Sequence, residues 1–473
     1  MVFSSIFFLF TFLPLSLLIY WMSPAKIKNF TLLAVSLFFY AWGEPVYVLL
    51  MIASILTNFV FGIFIESELI KEKRAVRRAL FISAVVFNIL ILGFFKYYGF
   101  LAENINALFN ADISYSELPL PIGISFYTFQ VLSYVIDVYL GKVRLQRNPV
   151  SFALYVTMFP QLIAGPIVRY SDIESQLEQR NVSASKFGEG AQRFIQGLGK
   201  KVLIANSMGA LWDITQAMDM TGISVFSAWL GIIAYTFQIY FDFSGYSDMA
   251  IGLGKMFGFE FMENFDHPYI SRSVTEFWRR WHISLGTWFR EYVYIPLGGN
   301  RCSRIRQIRN IMAVWMLTGL WHGASWNFVV WGIYYGCLLL IEKMFLKKLI
   351  DNAPAIISHV YCMLAVIIGW VLFASRDIES AAAYLGVMSG ASGNVLVDNA
   401  FIYYLKSNAV MLVISLLFST GIFREIFEPE EISDKIRTRV SHSAAVILHA
   451  FILFMSTAYL VTETYNPFLY FRF

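Results

Sequence analysis

Charge is scarce in this chain: Asp, Glu, Lys and Arg make up 14% of its 473 residues, against ~25% in soluble domains. With 58% hydrophobic residues and a mean hydropathy of +0.60, it is excluded from the ordinary water-soluble globules. The net charge of +4 is small and gives no footprint for a nucleic-acid partner. Cysteine is also sparse, at three residues. Cys337 and Cys362 fall in apolar runs and read as inert helix residues. Cys302 lies among arginines, an environment that lowers a thiol's pKa, yet catalysis by it is the weaker reading. No nucleotide P-loop, dinucleotide fingerprint, zinc-ligand spacing, low-complexity tract or transporter-like internal repeat is present, so no metal site is expected. The opening Met1-Val-Phe-Ser-Ser5 has neither the basic n-region nor the cleavage site of a signal peptide, and the first apolar run is expected to be a retained helix.

What is present is apolar sequence from end to end. Roughly 10–12 runs of ~20 residues, the length that crosses the hydrocarbon layer, leave no stretch for a separate soluble domain. The expectation is an all-α polytopic membrane protein with residues 1–473 as a single transmembrane domain. Ser5 to Met22, Phe30 to Trp42 and Val48 to Ile65 lead to a loop carrying Lys71, Lys73, Arg74, Arg77 and Arg78, which basic-loop topology places in the cytoplasm. Leu80 to Phe95 returns outward, and Pro121 to Leu140 comes back to Lys142, Arg144 and Arg147. Both termini are then extracytoplasmic. In Phe152 to Val168 two prolines and Gly165 disfavour a continuous helix and point to a bent or re-entrant segment. Ser171 to Glu189 reads as a polar loop. Lys200 and Lys201 interrupt the next apolar segment, either at the interface or lining a polar cavity. Gln238, Asp242 and Asp248 fall at or near membrane depth, where carboxylates need partners.

The chemistry concentrates further on. Ser273 to Arg290 places Phe277, Trp281, Leu285 and Trp288 at helical spacing opposite Glu276, Arg279 and Arg280, the pattern of an amphipathic interfacial helix that also carries His282. Tyr294 to Arg301 is turn-rich, with Gly298 and Gly299. A basic cluster follows at Arg301, Arg304, Arg306 and Arg309. His322 comes next, inside the apolar run Leu317 to Trp331, and an intramembrane ionisable residue marks a site by default. At helical rise it lies roughly 20 Å beyond Arg309, near the middle of the membrane. Thr318, Gly319, His322 and Trp326 are expected on one helical face. Gly319, Gly323 and Ala324 allow close approach, and the tryptophans leave little room for water. Phe328 to Leu346, Ile356 to Phe373, Ala409 to Phe423 and Ala444 to Val461 complete the spans, the last two separated by a charged loop from Arg424 to Arg439.

Two histidines, one on a basic interfacial helix and one at membrane depth, fit acyl transfer from a cytosolic donor. His322 is the candidate general base, and His282 positions it or polarises the carbonyl. Arg279, Arg280, Arg301 and Arg304 are candidates for the phosphates of a coenzyme A thioester, although basic-loop topology alone explains much of that cluster. Trp321, Gly323, Trp326, Gln238, Asp242 and Asp248 are candidate pocket residues. Structural pairing is an equal reading for the two aspartates, and a packed, satisfied ring is the plain alternative for His322.

Trp321-His322-Gly323, preceded by Phe277-Trp-Arg-Arg-Trp-His-Ile-Ser-Leu285 and Tyr294-Ile-Pro-Leu-Gly-Gly-Asn-Arg301, resembles the membrane-bound O-acyltransferase (MBOAT) superfamily. Phe159-Pro-Gln-Leu-Ile-Ala-Gly-Pro-Ile167, Gln238 to Ala250 and the opening residues resemble its bacterial alginate O-acetyltransferase branch. The resemblance implies a funnel-shaped bundle of helices with re-entrant and interfacial segments in a bacterial inner membrane, with His322 catalytic and His282 its companion. It implies acetyl-coenzyme A as donor, with no permanently bound cofactor. It also implies transfer across the membrane to a surface polysaccharide such as alginate or peptidoglycan, through an extracytoplasmic partner acetyltransferase. A teichoic acid D-alanyl transferase shares the histidines, but the Ile-Pro-Leu-Gly-Gly-Asn-Arg run favours the acetyl branch. A proton-coupled transporter using His322, Asp242 and Asp248 as a relay, or a non-catalytic scaffold, remain the readings from other classes.

Overall fold

The computed structural model describes residues 1–116, 118–422, 439–463, 465, 468 and 469, without the side chains of 439–443. Among these residues it is all-helical, with no strand and an isolated antiparallel bridge between Phe265 and Trp281. Tyr47–Glu66, Arg74–Phe109, Trp326–Asn352, Ala355–Ala374, Asn399–Ser419 and Ala444–Thr462 are long and apolar enough to cross a membrane. The apolar helices Phe8–Met22, Ile124–Leu140 and Ile378–Met388 are shorter. The charged loop expected from Arg424 onward falls outside the described residues apart from its last residue. The chain packs as two compact units, Met1–Arg193 with Ala250–Met262, and Phe194–Met249 with Glu263–Phe473.

In the first unit, apolar packing between helices is supplemented by a few polar pins. Asn58 and Asn88 are buried on neighbouring apolar helices and exchange amide hydrogen bonds of 3.0 and 2.7 Å. In an apolar surround such a pair satisfies both amides and fixes the register of the two helices. Phe8, Phe12, Phe39 and Phe159 pack ring against ring. The expected break at the two prolines is present, as a short helix Pro149–Thr157 capped by the Asn148 side chain and a single turn Phe159–Leu162. The polar stretch read as a loop from Ser171 is instead helical, Tyr170–Glu178 and then Ala184–Gly199. Its burial of Tyr170, Ile173 and Leu177 recurs at helical spacing, a signal masked by the surrounding charge.

The second unit carries both histidines. Val225–Met256 is one helix of 32 residues. It contributes Asp242 and Asp248 to this unit, and both find lysine partners on the preceding segment. Lys201 Nζ lies 2.6 Å from Asp242 Oδ1 with both side chains buried, and Lys200 Nζ lies 2.6 Å from Asp248 Oδ2. The two lysines therefore turn inward as partners of carboxylates. Breaking such a buried pair by removing one member typically costs ~3–5 kcal/mol, because it strands the other charge.

Arg304–His322 and Trp326–Ile341 form an antiparallel hairpin whose helices touch through glycine. A Cβ on Gly319 would run into the Phe328 carbonyl, and one on Gly332 into the Trp315 carbonyl. This corrects the single helical face drawn through Trp326. The helix stops at His322, Gly323 is extended, and Trp326 begins the returning helix with 55% of its surface exposed. Gly332→Ala is expected to lower the melting temperature measured in detergent, by overpacking worth ~1–3 kcal/mol. Gly93→Ala, with nothing within 4 Å of the added carbon, is expected to be neutral or slightly stabilising. Equal melting of the two variants would contradict the glycine contact.

Candidate functional site

The segment read as one amphipathic helix from Ser273 to Arg290 is two helices, Val274–Arg280 and Ile283–Phe289, with Trp281 and His282 between them. The apolar face is real, since Phe277, Trp281, Leu285 and Trp288 are all buried, but the backbone is broken where the periodicity gave no warning. His282 adopts φ +47°, a left-handed conformation uncommon for residues other than glycine. Its neighbours hold it there. Asp266 N donates to Arg280 O and Ile283 N donates to Asn264 O, each at 3.0 Å. The first helix is fixed at its start by Ser273 and by the buried Glu342 carboxylate, which accepts from Val274 N, Thr275 N and Thr275 Oγ1 at 2.6–2.8 Å. A carboxylate at a helix N-terminus satisfies donors the helix itself cannot.

The break turns His282 inward, to 2% exposure, rather than leaving it at an interface. Its Nδ1 lies 3.1 Å from Asn264 Oδ1, which also accepts from Ser284 N at 3.1 Å and from Ser284 Oγ at 2.9 Å. Because the Ser284 amide can only donate, the Asn264 atom facing it is the oxygen. His282 therefore donates through Nδ1, and Nε2 is the accepting nitrogen of the neutral ring. Burial pushes its pKa down to about 3, so the ring is neutral at ordinary pH.

Trp321 lies between the histidines, its ring 6.0 Å from that of His282 and 5.0 Å from that of His322. His322 is 7% exposed and is bordered by Trp331 and Phe373, each 5.1 Å away and edge-on. Two cavities meet these rings. One, of about 720 Å³, is lined by His282, Thr318, Arg279, Arg290, Lys343 and Lys347, among others, a volume within the range of small-molecule sites. The other, of about 20 Å³, is lined by His322, Asp242, Phe243 and several large apolar side chains. Trp278 and Trp281 line both and form a shared wall.

The sequence candidates are thus sorted by place. Arg279 faces the large cavity, whereas Arg280 is held by Asp266 and Glu276 at 2.9 and 3.1 Å. Arg304 lines a separate surface pocket with Lys343, and Arg301 is exposed and lines neither cavity beside the histidines. Asp242 borders the small cavity, while Asp248 is held by Lys200 and Gln238 packs against Gly209. Gly323 packs under Phe328. Sequence reading passed over Asn264, Arg290, Lys343 and Lys347. The i, i+4 spacing of the two lysines, which puts both on one helical face, was the available signal for them. Among the described residues no group of three or more His, Cys, Asp and Glu side chains is placed to hold a metal.

Residues 144–375 match the family of membrane-bound O-acyltransferases. The chain is 47% identical over 390 residues to the probable alginate O-acetylase AlgI of Azotobacter vinelandii, covering 80% of this chain and 76% of the relative. It is 35% identical over 429 residues to the peptidoglycan O-acetyltransferase of Helicobacter pylori, covering 83% and 80%. The teichoic acid D-alanyltransferase of Streptococcus thermophilus is more distant, at 29% over 48% of this chain and 58% of its own. This chain therefore belongs to the membrane-bound O-acyltransferase family, in its alginate O-acetylase-like branch, and is a multi-pass membrane O-acyltransferase.

The fixed tautomer has a measurable consequence. In an NMR titration, the wild-type His282 ring is expected to stay unprotonated from pH 8 to pH 5. In Asn264→Asp a carboxylate facing Nδ1 favours the charged ring, so protonation moves up toward the ordinary range and the ring gains its proton as pH falls through that window. Coincident titrations of the two proteins would contradict the assignment.

Proposed function

We propose that this chain takes an acetyl group from cytosolic acetyl-coenzyme A and hands it across the bacterial inner membrane for O-acetylation of an extracytoplasmic polysaccharide of the alginate or peptidoglycan kind. An extracytoplasmic partner acetyltransferase receives the group or completes the transfer. The names of the O-acetylating relatives support the acetyl group and the glycan acceptor. The observation that carries the reading is the wall of Trp278 and Trp281, with a large cation-bordered cavity at His282 on one side and a small cavity at His322 on the other.

The two cavities suit a donor much larger than the group it gives up. Arg279, Arg290, Lys343 and Lys347 border the large one and supply charge for the donor's phosphates. Three acids also border it, but Glu342 is committed to a helix start and Glu276 to Arg280, so the balance toward an anion is favourable. His282 lines the same cavity. Neutral and with its proton on Nδ1, it positions the donor rather than polarising the carbonyl.

His322 acts as the base. It takes the proton of the acceptor hydroxyl as that oxygen attacks the thioester carbonyl; the carbon–sulfur bond breaks and the departing thiolate recovers the proton from the imidazolium. General-base assistance is worth ~10²–10⁴ in rate. His322→Ala is therefore expected to abolish acetyl transfer while retaining donor binding and an unchanged melt, and His282→Ala to slow transfer and weaken donor binding together. Acetyl transfer and donor affinity measured on both purified variants check this, and substantial transfer by His322→Ala would overturn the assignment.

A further inference from the structure

We infer that the small cavity beside His322 measures the acyl group, admitting two carbons and refusing longer chains; the inference rests on the acyl-transfer reading above. Its volume of about 20 Å³ is scarcely more than the ~10–15 Å³ that admits a single water molecule. A methyl group is that size. With the carbonyl carbon presented at His322, the acetyl methyl fills the space, and a third carbon meets a side chain.

The walls do not yield readily. Ile239, Phe243, Trp331, Trp370, Phe373 and Leu469 line the cavity, and Trp331 and Trp370 are 0% and 1% exposed. Phe373 packs on the rings of His322, Trp331 and Trp370 at 5.1, 5.5 and 5.7 Å. In an interior this closely packed, an added methylene is felt by every ring in the cluster. Asp242, the carboxylate on the wall, is tied to Lys201 at 2.6 Å and accepts from Leu469 N at 2.9 Å, so its position is fixed as well. The 720 Å³ cavity at His282 imposes no comparable limit. Selection by chain length therefore falls at His322, after the donor has bound.

The reaction is the one already written: the acyl carbon leaves sulfur for the acceptor oxygen, and only the substituent on that carbon changes. The experiment compares acetyl-, propionyl- and butyryl-coenzyme A as donors for wild type, Phe373→Ala and Ile239→Ala, scoring kcat/KM for transfer. For the wild type each added methylene is expected to cost ~10–200-fold, the range for one methylene against a closed apolar pocket. Either trimmed variant is expected to raise the butyryl-to-acetyl ratio by at least ~10-fold, and Phe373→Leu to raise it less. Two different walls are trimmed so that misfolding of one variant leaves the other to decide. Wild type that uses butyryl as well as acetyl, or folded variants that transfer acetyl with the wild-type ratio, would overturn the inference and leave the acyl-transfer reading standing. Wild type that transfers no acyl group of any length would overturn both.

Discussion

One amide oxygen organises the histidine site of the second unit. Asn264 Oδ1 accepts from His282 Nδ1, Ser284 N and Ser284 Oγ and so holds a left-handed residue between two short helices that would otherwise run on as one. Left-handed backbone costs roughly 1–3 kcal/mol for an ordinary residue and persists only where its surroundings over-determine it. The return is geometric. The break lets Trp278 and Trp281 stand as a wall between the two cavities, while the histidine beside them is buried. A continuous helix would have carried His282 on the flank between the two faces, three residues from both Arg279 and Leu285.

The other histidine depends on absence of bulk. Gly319 and Gly332 bring two helices together closely enough that His322, the last residue of the first, meets Trp331 and Phe373 on returning or neighbouring helices. Around this lie buried charges that are expensive in isolation and tolerable in pairs. Asp242 with Lys201 is the one that reaches the cavity. The pairing explains how a carboxylate persists among aromatic rings, and it places a fixed negative charge near the histidine without leaving it uncompensated.

Much of this was legible beforehand. Apolar run length located most of the long helices, although Asn399–Ser419 begins well before the run read from Ala409; the turn-rich reading of Tyr294 to Arg301 holds, with Gly298 and Gly299 at positive φ; the two prolines signalled the break near Phe159; and His322 stood out as an ionisable group in apolar surroundings. What escaped had physical causes. The break at Trp281–His282 is imposed by Asn264, some eighteen positions away in sequence, and no local propensity announces it; the apolar spacing was correct and the inference of continuity was not. Trp326 was misplaced because periodicity was carried through Gly323, where the helix ends. Arg279 and Arg280 are adjacent and chemically equivalent, so only the fold separates the one on the cavity from the one tied to Asp266. The helices around Tyr170 and Ala184 were hidden by charge on their outer faces.

The central claim is that an acetyl group crosses the membrane at His322 while its carrier does not. Sealed proteoliposomes with labelled acetyl-coenzyme A enclosed, and alginate and peptidoglycan fragments with the proposed partner acetyltransferase outside, test it directly once the basic loops are oriented inward. The account predicts labelled O-acetyl groups on an outside glycan, coenzyme A retained within, and no label from vesicles carrying His322→Ala. Equal labelling with His322→Ala, or labelling only when donor and acceptor share one face of the membrane, would contradict it.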